Sequence, residues 1–387
     1  DVFLFIDGWP TLRAEFDEME YDVQALAGRG LTFGLHIIAT TSRWMDFRTA
    51  IRDTFGSKLE LRLGEPSDSE INRNVAKNVP NARPGRGLAP TAHHMLGALP
   101  RVDGNGDPGT LGEGVEDLVA QVNHAWRGPE GPKLRLLPEL VELDELRSRA
   151  EGTRLSGQLL LGVDEAALAP VALDQRRNPH VYLFGDSGSG KSSFLRGIAR
   201  EVQRIATPKQ AQLFVVDYRR ALLSEIPEEY LAGYFTTADQ ATSELAGVAE
   251  YLRGRLPGPD VTPQQLRDRS WWTGAEVYVL VDDYDLVATQ SGNPIAALQP
   301  LLAQAGDVGL HVVIARRSGG ASRALYEPVM QTLRDLASPG IMLAGSPEEG
   351  PLIGNLKPAA AVAGRAKFVS RDKGLQVLQL AYAPPTV

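Results

Sequence analysis

The chain has 387 residues, 43% hydrophobic and 23% charged, ordinary values for a globular protein and a length that suggests about two domains with buried sheets. It has no cysteine, which excludes disulfides and thiolate metal sites, and its six histidines, the adjacent His93 and His94 included, show no metal-ligand spacing. A net charge of −8 and a pI near 5.4 argue against a basic stripe that tracks duplex DNA, and no apolar run is long enough to span a bilayer.

The first element is Val2-Phe3-Leu4-Phe5-Ile6, an apolar strand that delivers Asp7 and is followed by Gly8. Gly34-Leu35-His36-Ile37-Ile38-Ala39 reads as a second strand, with His36 in a structural role. Residues 104–114 read as an exposed glycine-rich loop and 115–126 as an amphipathic helix closing a first domain. The Gly/Pro run over 127–132 marks a boundary, giving domains 1–132 and 133–387. Beyond it lies an apolar linker, Leu134-Arg135-Leu136-Leu137-Pro138-Glu139-Leu140, whose proline favours a docked extended segment over free coil. Arg147, Arg149 and Arg154, like Arg176 and Arg177, read as solvated surface or phosphate-adjacent arginine.

The strongest local signal follows the apolar strand His180-Val181-Tyr182-Leu183-Phe184. Gly185-Asp186-Ser187-Gly188-Ser189-Gly190-Lys191-Ser192 is a complete P-loop, and Ser193 follows it. Glycines at 185, 188 and 190 let the backbone wrap closely and aim N–H groups at phosphate oxygens. Lys191 is expected to reach the β- and γ-phosphates of a nucleoside triphosphate, and Ser192 to help hold Mg²⁺. Phe194, Leu195, Ile198, Ala199, Val202 and Ile205 then recur at helical spacing.

Residues 257–272 read as a surface excursion, with Trp271 and Trp272 packing near its end. Glu276-Val277-Tyr278-Val279-Leu280-Val281 is a strand ending in Asp282 and Asp283. Ligands sit at the carboxyl ends of parallel strands, so both acids are expected beside the P-loop. Asp282 is expected to hold Mg²⁺, and Asp283 to orient or deprotonate the attacking water.

The chain also echoes itself. Val2–Ile6 with Asp7 matches Val277–Val281 with Asp282, and Asp7 and His36 are 29 positions apart, as are Asp282 and His311. Leu63-Gly64-Glu65-Pro66-Ser67-Asp68 resembles Leu343-Ala344-Gly345-Ser346-Pro347-Glu348, and Pro84-Gly85-Arg86-Gly87 resembles Ala363-Gly364-Arg365-Ala366. The order of these matches points to duplicated domains. The first copy begins on its Asp strand, so the chain is expected to be a piece of a longer protein, with any membrane anchor outside it. Where the second copy has Asp283, the first has Gly8, which cannot act as a base; Glu15 or Asp17 are the alternatives in the following turn.

On these residues the chain resembles FtsK/SpoIIIE-type ATPases. More narrowly, Leu136-Leu137-Pro138 with Leu143-Asp144-Glu145-Leu146 resembles the EccC ATPases of actinobacterial type VII (ESX) secretion. So do Val215-Val216-Asp217-Tyr218-Arg219-Arg220 and Arg316-Arg317-Ser318-Gly319-Gly320 with Arg323-Ala324-Leu325-Tyr326-Glu327-Pro328. The resemblance covers nearly the whole chain. It implies an α/β fold of tandem P-loop NTPase (RecA/FtsK-like) domains with mainly parallel central sheets, the truncated second and the complete third of three cytoplasmic ATPase domains. It implies ATP and Mg²⁺ as cofactors and a hexameric motor at the inner membrane. The implied cargo is a WXG100-type dimer whose C-terminal signal binds an apolar pocket of the last domain. Leu136, Leu137 and Leu140 would dock in a groove of the first domain. Ser42 and Arg317 stand where DNA translocases of the wider family carry a phosphate-sensing Gln, and Asp283 replaces a longer Glu. Arg316 and Arg323 are the candidates for an arginine acting in a neighbouring subunit. Two other readings remain open here: a DNA translocase or conjugative coupling ATPase, and a recognition module that uses ATP as a structural ligand.

Overall fold

The computed structural model describes residues 1–17, 19–128 and 135–386, and the chain divides into two compact units, Asp1–Gly131 and Pro132–Val387. Residues 129–132 of the Gly/Pro run, and Leu134, lie outside the described residues.

In the first unit, β1 (Val2–Ile6) and β2 (Leu35–Ala39) pair in parallel, while β3 (Glu60–Leu61), β4 (Arg86–Leu88) and β5 (His94–Leu96) form a separate antiparallel sheet. Its core is small: Ile6, Trp9, Val23, Phe47 and Ile51. The closing helix runs Leu111–Ala125, starting four residues before the sequence suggests. Asp107 accepts a bond from the Gly109 N–H and caps the turn Pro108–Thr110, which feeds the helix directly, so the end of the glycine-rich loop becomes its first turn.

The second unit is built on one ten-stranded sheet. Its strands are β6 (Leu159–Asp164), β7 (Pro170–Leu173), β8 (His180–Phe184), β9 (Ala211–Val216), β10 (Leu231–Phe235), β11 (Glu276–Val281), β12 (Leu310–Arg316), β13 (Gly340–Met342), β14 (Arg365–Ser370) and β15 (Gly374–Leu380). The spatial order is β10-β9-β11-β12-β8-β13-β14-β15-β6-β7. The first six of these neighbours are parallel and the rest antiparallel. β8, β11 and β12 are near-continuous apolar runs because helices cover both of their faces. The helix Lys191–Ile205 lays Phe194, Leu195, Ile198, Ala199 and Val202 on one face, while Leu245, Leu298, Leu301 and Val329 fill the other. Trp271 and Trp272 pack as expected, their indole N–H groups donating to the carbonyls of Arg255 and Asp307. Within this unit Glu142 bridges Tyr382 and β6 pairs with β15, so its two ends meet at one sheet margin. Leu137 does not serve as a free docking side chain: it is buried in the unit's own cluster with Val141, Leu143 and Leu146, while Leu136 and Leu140 are exposed.

The repeated segments share geometry residue by residue. Phe3 faces His36 across β1–β2, and Tyr278 faces His311 across β11–β12. Each pair stacks, at 4.7 and 4.2 Å between ring centroids. An acid completes each set: Asp1 lies 3.6 Å from His36 and Glu276 lies 3.0 Å from His311. Both histidines are therefore structural. β3, β4 and β5 likewise repeat the antiparallel pairing of β13, β14 and β15. In the second unit β8 lies between β12 and β13; in the first, their counterparts β2 and β3 belong to different sheets.

His180, at the start of β8, makes the fold sensitive to acid. The Val312 N–H donates to its Nδ1 (3.1 Å), so the proton sits on Nε2, 3.1 Å from the Leu302 carbonyl. A second proton would point at the Val312 N–H. Burial lowers the imidazole pKa to about 4, with the charge of His311 adding and the Leu302 carbonyl opposing. The unfolded chain binds the extra proton first, near its ordinary value of about 6.5. Stability is therefore full above about pH 6.5 and is expected to fall by about 3 kcal/mol as pH drops to about 4. Urea unfolding across this window checks it, and His180→Gln is expected to flatten the slope.

Candidate nucleotide-binding site

β8 ends at Phe184, and residues 185–190 turn back to open the helix Lys191–Ile205. The turn is tied to its neighbours: the Gly185 N–H donates to the Arg316 carbonyl (3.1 Å) and the Asp186 N–H to the Ala344 carbonyl (2.8 Å). A Cβ at position 185 would collide with Ser189 Oγ and with Leu343. Gly190 caps the helix at φ 113°, a conformation open to glycine. Ser189 is buried and closes the loop by donating from Oγ to the Asp186 carbonyl (2.8 Å), while Ser187 and Gly188 form the exposed tip. The N–H groups of Lys191, Ser192 and Ser193 lie in the first helical turn, where no intrahelical acceptor exists. Together these residues make a cradle of donors with the helix dipole behind it. The Ser193 side chain takes no part in that cradle: it accepts from the Ala383 N–H (3.1 Å), which leaves its backbone N–H as its means of contact.

The two acids arrive where expected, although one strand, β12, lies between β8 and β11. The helix N-terminus reaches across the end of β12, and Ser192 Oγ donates to Asp282 Oδ2 at 2.7 Å. Asp282 is buried, and its other oxygen accepts the Asp283 N–H (2.9 Å). Burial raises its pKa, as do the charges of Asp283 and Asp217, against the bond from Ser192. Asp283 sits at φ 43°, ψ 56°, the left-handed region, as cap of the short helix Tyr284–Val287. Its carboxylate lies 4.0 Å from Lys191 Nζ and 3.4 Å from the Arg219 guanidinium.

These groups fit a nucleotide with a divalent cation. Among the described residues no basic side chain lies within ion-pair distance of Asp282, so a buried carboxylate beside a serine hydroxyl stands without a cation. One carboxylate and one hydroxyl, the remaining positions going to phosphate and water, is the donor set Mg²⁺ favours. Lys191 is itself buried, and its ammonium donates to the Asp186 carbonyl (3.2 Å), with further N–H groups left for phosphate.

The turn after β12 departs from expectation at Arg316. Its guanidinium is buried and donates to the carbonyls of Arg317 (2.7 Å), Gly319 (3.3 Å) and Gly320 (3.3 Å), so it braces its own loop and is unavailable to a neighbouring subunit. Arg323 remains exposed. The Arg317 N–H donates to Asp285.

The first unit carries the same backbone without the same chemistry. Gly8 occupies the left-handed position at φ 78°, ψ 59°, and the Thr40 hydroxyl donates to Asp7. Glu15 and Asp17 lie at the far end of the helix Trp9–Glu15, about 10 Å along its axis, and are not brought to Asp7. Two residues of the second unit have roles that the sequence did not assign them. Arg219 follows β9, the neighbour of β11, and its place at the carboxyl end of a parallel strand was the available signal. Glu201 looks like a solvent-facing residue in the P-loop helix yet is fully buried against Arg147 and Arg204.

Comparison with known proteins finds relatives of one kind. Residues 145–255 match the FtsK/SpoIIIE family. The ESX secretion system protein EccC of Thermomonospora curvata is 47% identical over 383 residues, 99% of this chain and 29% of the relative. The ESX-4 secretion system protein EccC4 of Mycobacterium tuberculosis is 43% identical over all of this chain and 30% of its own length. The chain thus spans under a third of these relatives. The solved structure of Thermomonospora curvata EccC (ATPases 2 and 3) in complex with a signal sequence peptide superimposes with a TM-score of 0.83 at 45% identity, covering 100% of this chain and 69% of that one. No helix of the described residues is long and apolar enough to cross a membrane.

Proposed function

This chain belongs to the EccC family of FtsK/SpoIIIE-like ATPases, matching ATPases 2 and 3, and we propose that its second unit binds Mg·ATP and hydrolyses it to drive type VII protein secretion. The observation that carries the reading is the 2.7 Å bond between Ser192 and Asp282, which joins the P-loop to the acid-ending strand. The P-loop backbone from Gly185 through Ser193 would cradle the phosphates, with Lys191 on the β- and γ-phosphates. Ser192 and Asp282 would hold Mg²⁺, which when bound neutralises the charge that develops on the phosphates. Asp283 would orient the attacking water and take its proton.

The first unit, which has Gly8 at the position of Asp283, acts as a support domain arisen by duplication. The cargo is a WXG100-family protein whose C-terminal signal peptide binds this chain, by analogy with the relative solved with a signal sequence peptide. Cargo that favours an assembled state shifts the protein toward a hexamer at the inner face of the membrane, alongside the membrane components of the secretion machine. Calorimetry with a C-terminal WXG100 peptide and, separately, a random DNA duplex, both with Mg·ATP, tests this. Saturable peptide binding without DNA binding at physiological salt is the expected result. Tight, salt-sensitive DNA binding with no peptide signal would overturn it and favour a translocase.

A further inference from the structure

The segment after β9, Asp217-Tyr218-Arg219-Arg220, is built to hold one side chain in place. Asp217 is 1% exposed. Its carboxylate accepts from the Arg219 N–H (3.1 Å), the Leu222 N–H (2.8 Å) and the Tyr234 hydroxyl (2.7 Å), while its own N–H donates to the Phe235 carbonyl (3.0 Å). Arg220 is held at φ 60°, a conformation that costs a non-glycine residue about 1 kcal/mol or more and persists where surroundings over-determine it. The result of this fixed turn is that Arg219 projects over the nucleotide site, 3.4 Å from Asp283. Lys191 approaches the other oxygen of the same carboxylate, at 4.0 Å.

We propose that Arg219 is a positioning residue that restrains Asp283, tying the water-activating carboxylate between two cations until nucleotide competes for them. The proposal rests on the reading of Asp283 as the acid that acts on water. The γ-phosphate carries more charge than a carboxylate and draws Lys191 away, freeing one oxygen of Asp283. Arg219 is 63% exposed along its side chain, so its remaining hold is weak and screened by salt. A weak hold of that kind makes Arg219 a brake of a few-fold, acting on turnover and not on nucleotide affinity.

Steady-state ATP hydrolysis and binding of a fluorescent ATP analogue by the wild-type chain, Arg219→Ala, Arg219→Lys and Asp283→Asn test the inference. Arg219→Ala is expected to raise kcat about two- to five-fold with KM nearly unchanged. Arg219→Lys is expected to restore most of the restraint. Wild-type kcat is expected to rise with ionic strength, and Arg219→Ala to lose that dependence, a readout that a merely structural arginine would not move. If Asp283→Asn abolishes turnover but Arg219→Ala leaves kcat unchanged or lowers it, the restraint is overturned and the ATPase reading stands. If wild-type and Asp283→Asn chains both bind nucleotide and hydrolyse it equally, or neither hydrolyses it, the role of Asp283 fails and the inference fails with it.

Discussion

Asp283→Asn is expected to lower kcat for ATP hydrolysis by about 10²–10⁴-fold while leaving affinity for Mg·ATP nearly unchanged. The substitution keeps the shape and size of the side chain and removes its ability to take a proton. Backbone strain should not confound the result, because asparagine tolerates the left-handed conformation at φ 43° about as well as aspartate does. Nucleotide contacts should persist, since the P-loop, Ser192 and Asp282 do not depend on the 283 carboxylate for their hydrogen bonds. Single-turnover kinetics beside equilibrium binding separate the two effects. A fall in affinity with an unchanged single-turnover rate would move Asp283 from chemistry to binding.

Glu201→Ala is expected to destabilise the second unit by about 3–5 kcal/mol, the range for breaking a buried ion pair and leaving its partners behind. The Glu201 carboxylate is fully buried, and three elements meet on it. Arg147 of the helix Leu143–Ala150 donates to it at 2.8 Å, the Leu160 N–H of β6 at 3.1 Å, and Arg204 at 2.6 Å. Removing it would leave the buried Leu160 N–H without its acceptor and take a charged acceptor from two guanidinium groups, Arg147 keeping Asp144 and the Arg200 carbonyl and Arg204 the carbonyls of Ser156 and Gln158. For a unit of this size the loss corresponds to a fall in melting temperature of about 6–20 °C. Asp144→Ala, which removes only the exposed partner of Arg147, is expected to change stability by less than about 1 kcal/mol. Thermal unfolding of both variants decides whether Glu201 organises these elements or merely accompanies them.

These two residues mark what a sequence discloses and what it does not. The place of Asp283 beside the P-loop was legible because the P-loop and the acid-ending strand are local patterns fixed by residue type and order. The matching places of His36 and His311 were legible for the same reason, since the 29-position spacing lies within a single supersecondary unit in each case. Glu201 was not legible. Its burial depends on Arg147, 54 positions earlier, and on a strand that reaches the sheet only through β15. The position of β12 between β8 and β11 is a similar case, because apolar runs specify strands but not their neighbours. Arg316, a candidate for action in another subunit, is turned inward by carbonyls of its own loop, a local detail that no spacing encodes. Leu137 likewise finds its apolar surroundings within its own unit.

The meeting of the second unit's two ends at one sheet margin also sets the order in which that unit matures during synthesis. Asp164 of β6 pairs with Leu378 of β15, 214 positions later. By then the P-loop strand, its flanking strands and β13 have all been made, and they need nothing from β15 to pair with one another. Until Leu378–Leu380 leaves the ribosome, the hairpin of β6 and β7 waits with the edge at Gly162–Asp164 open. The nucleotide cradle can therefore form on a growing chain while that margin is still open, and a pairing of such long sequence separation is the slow, aggregation-exposed step of folding.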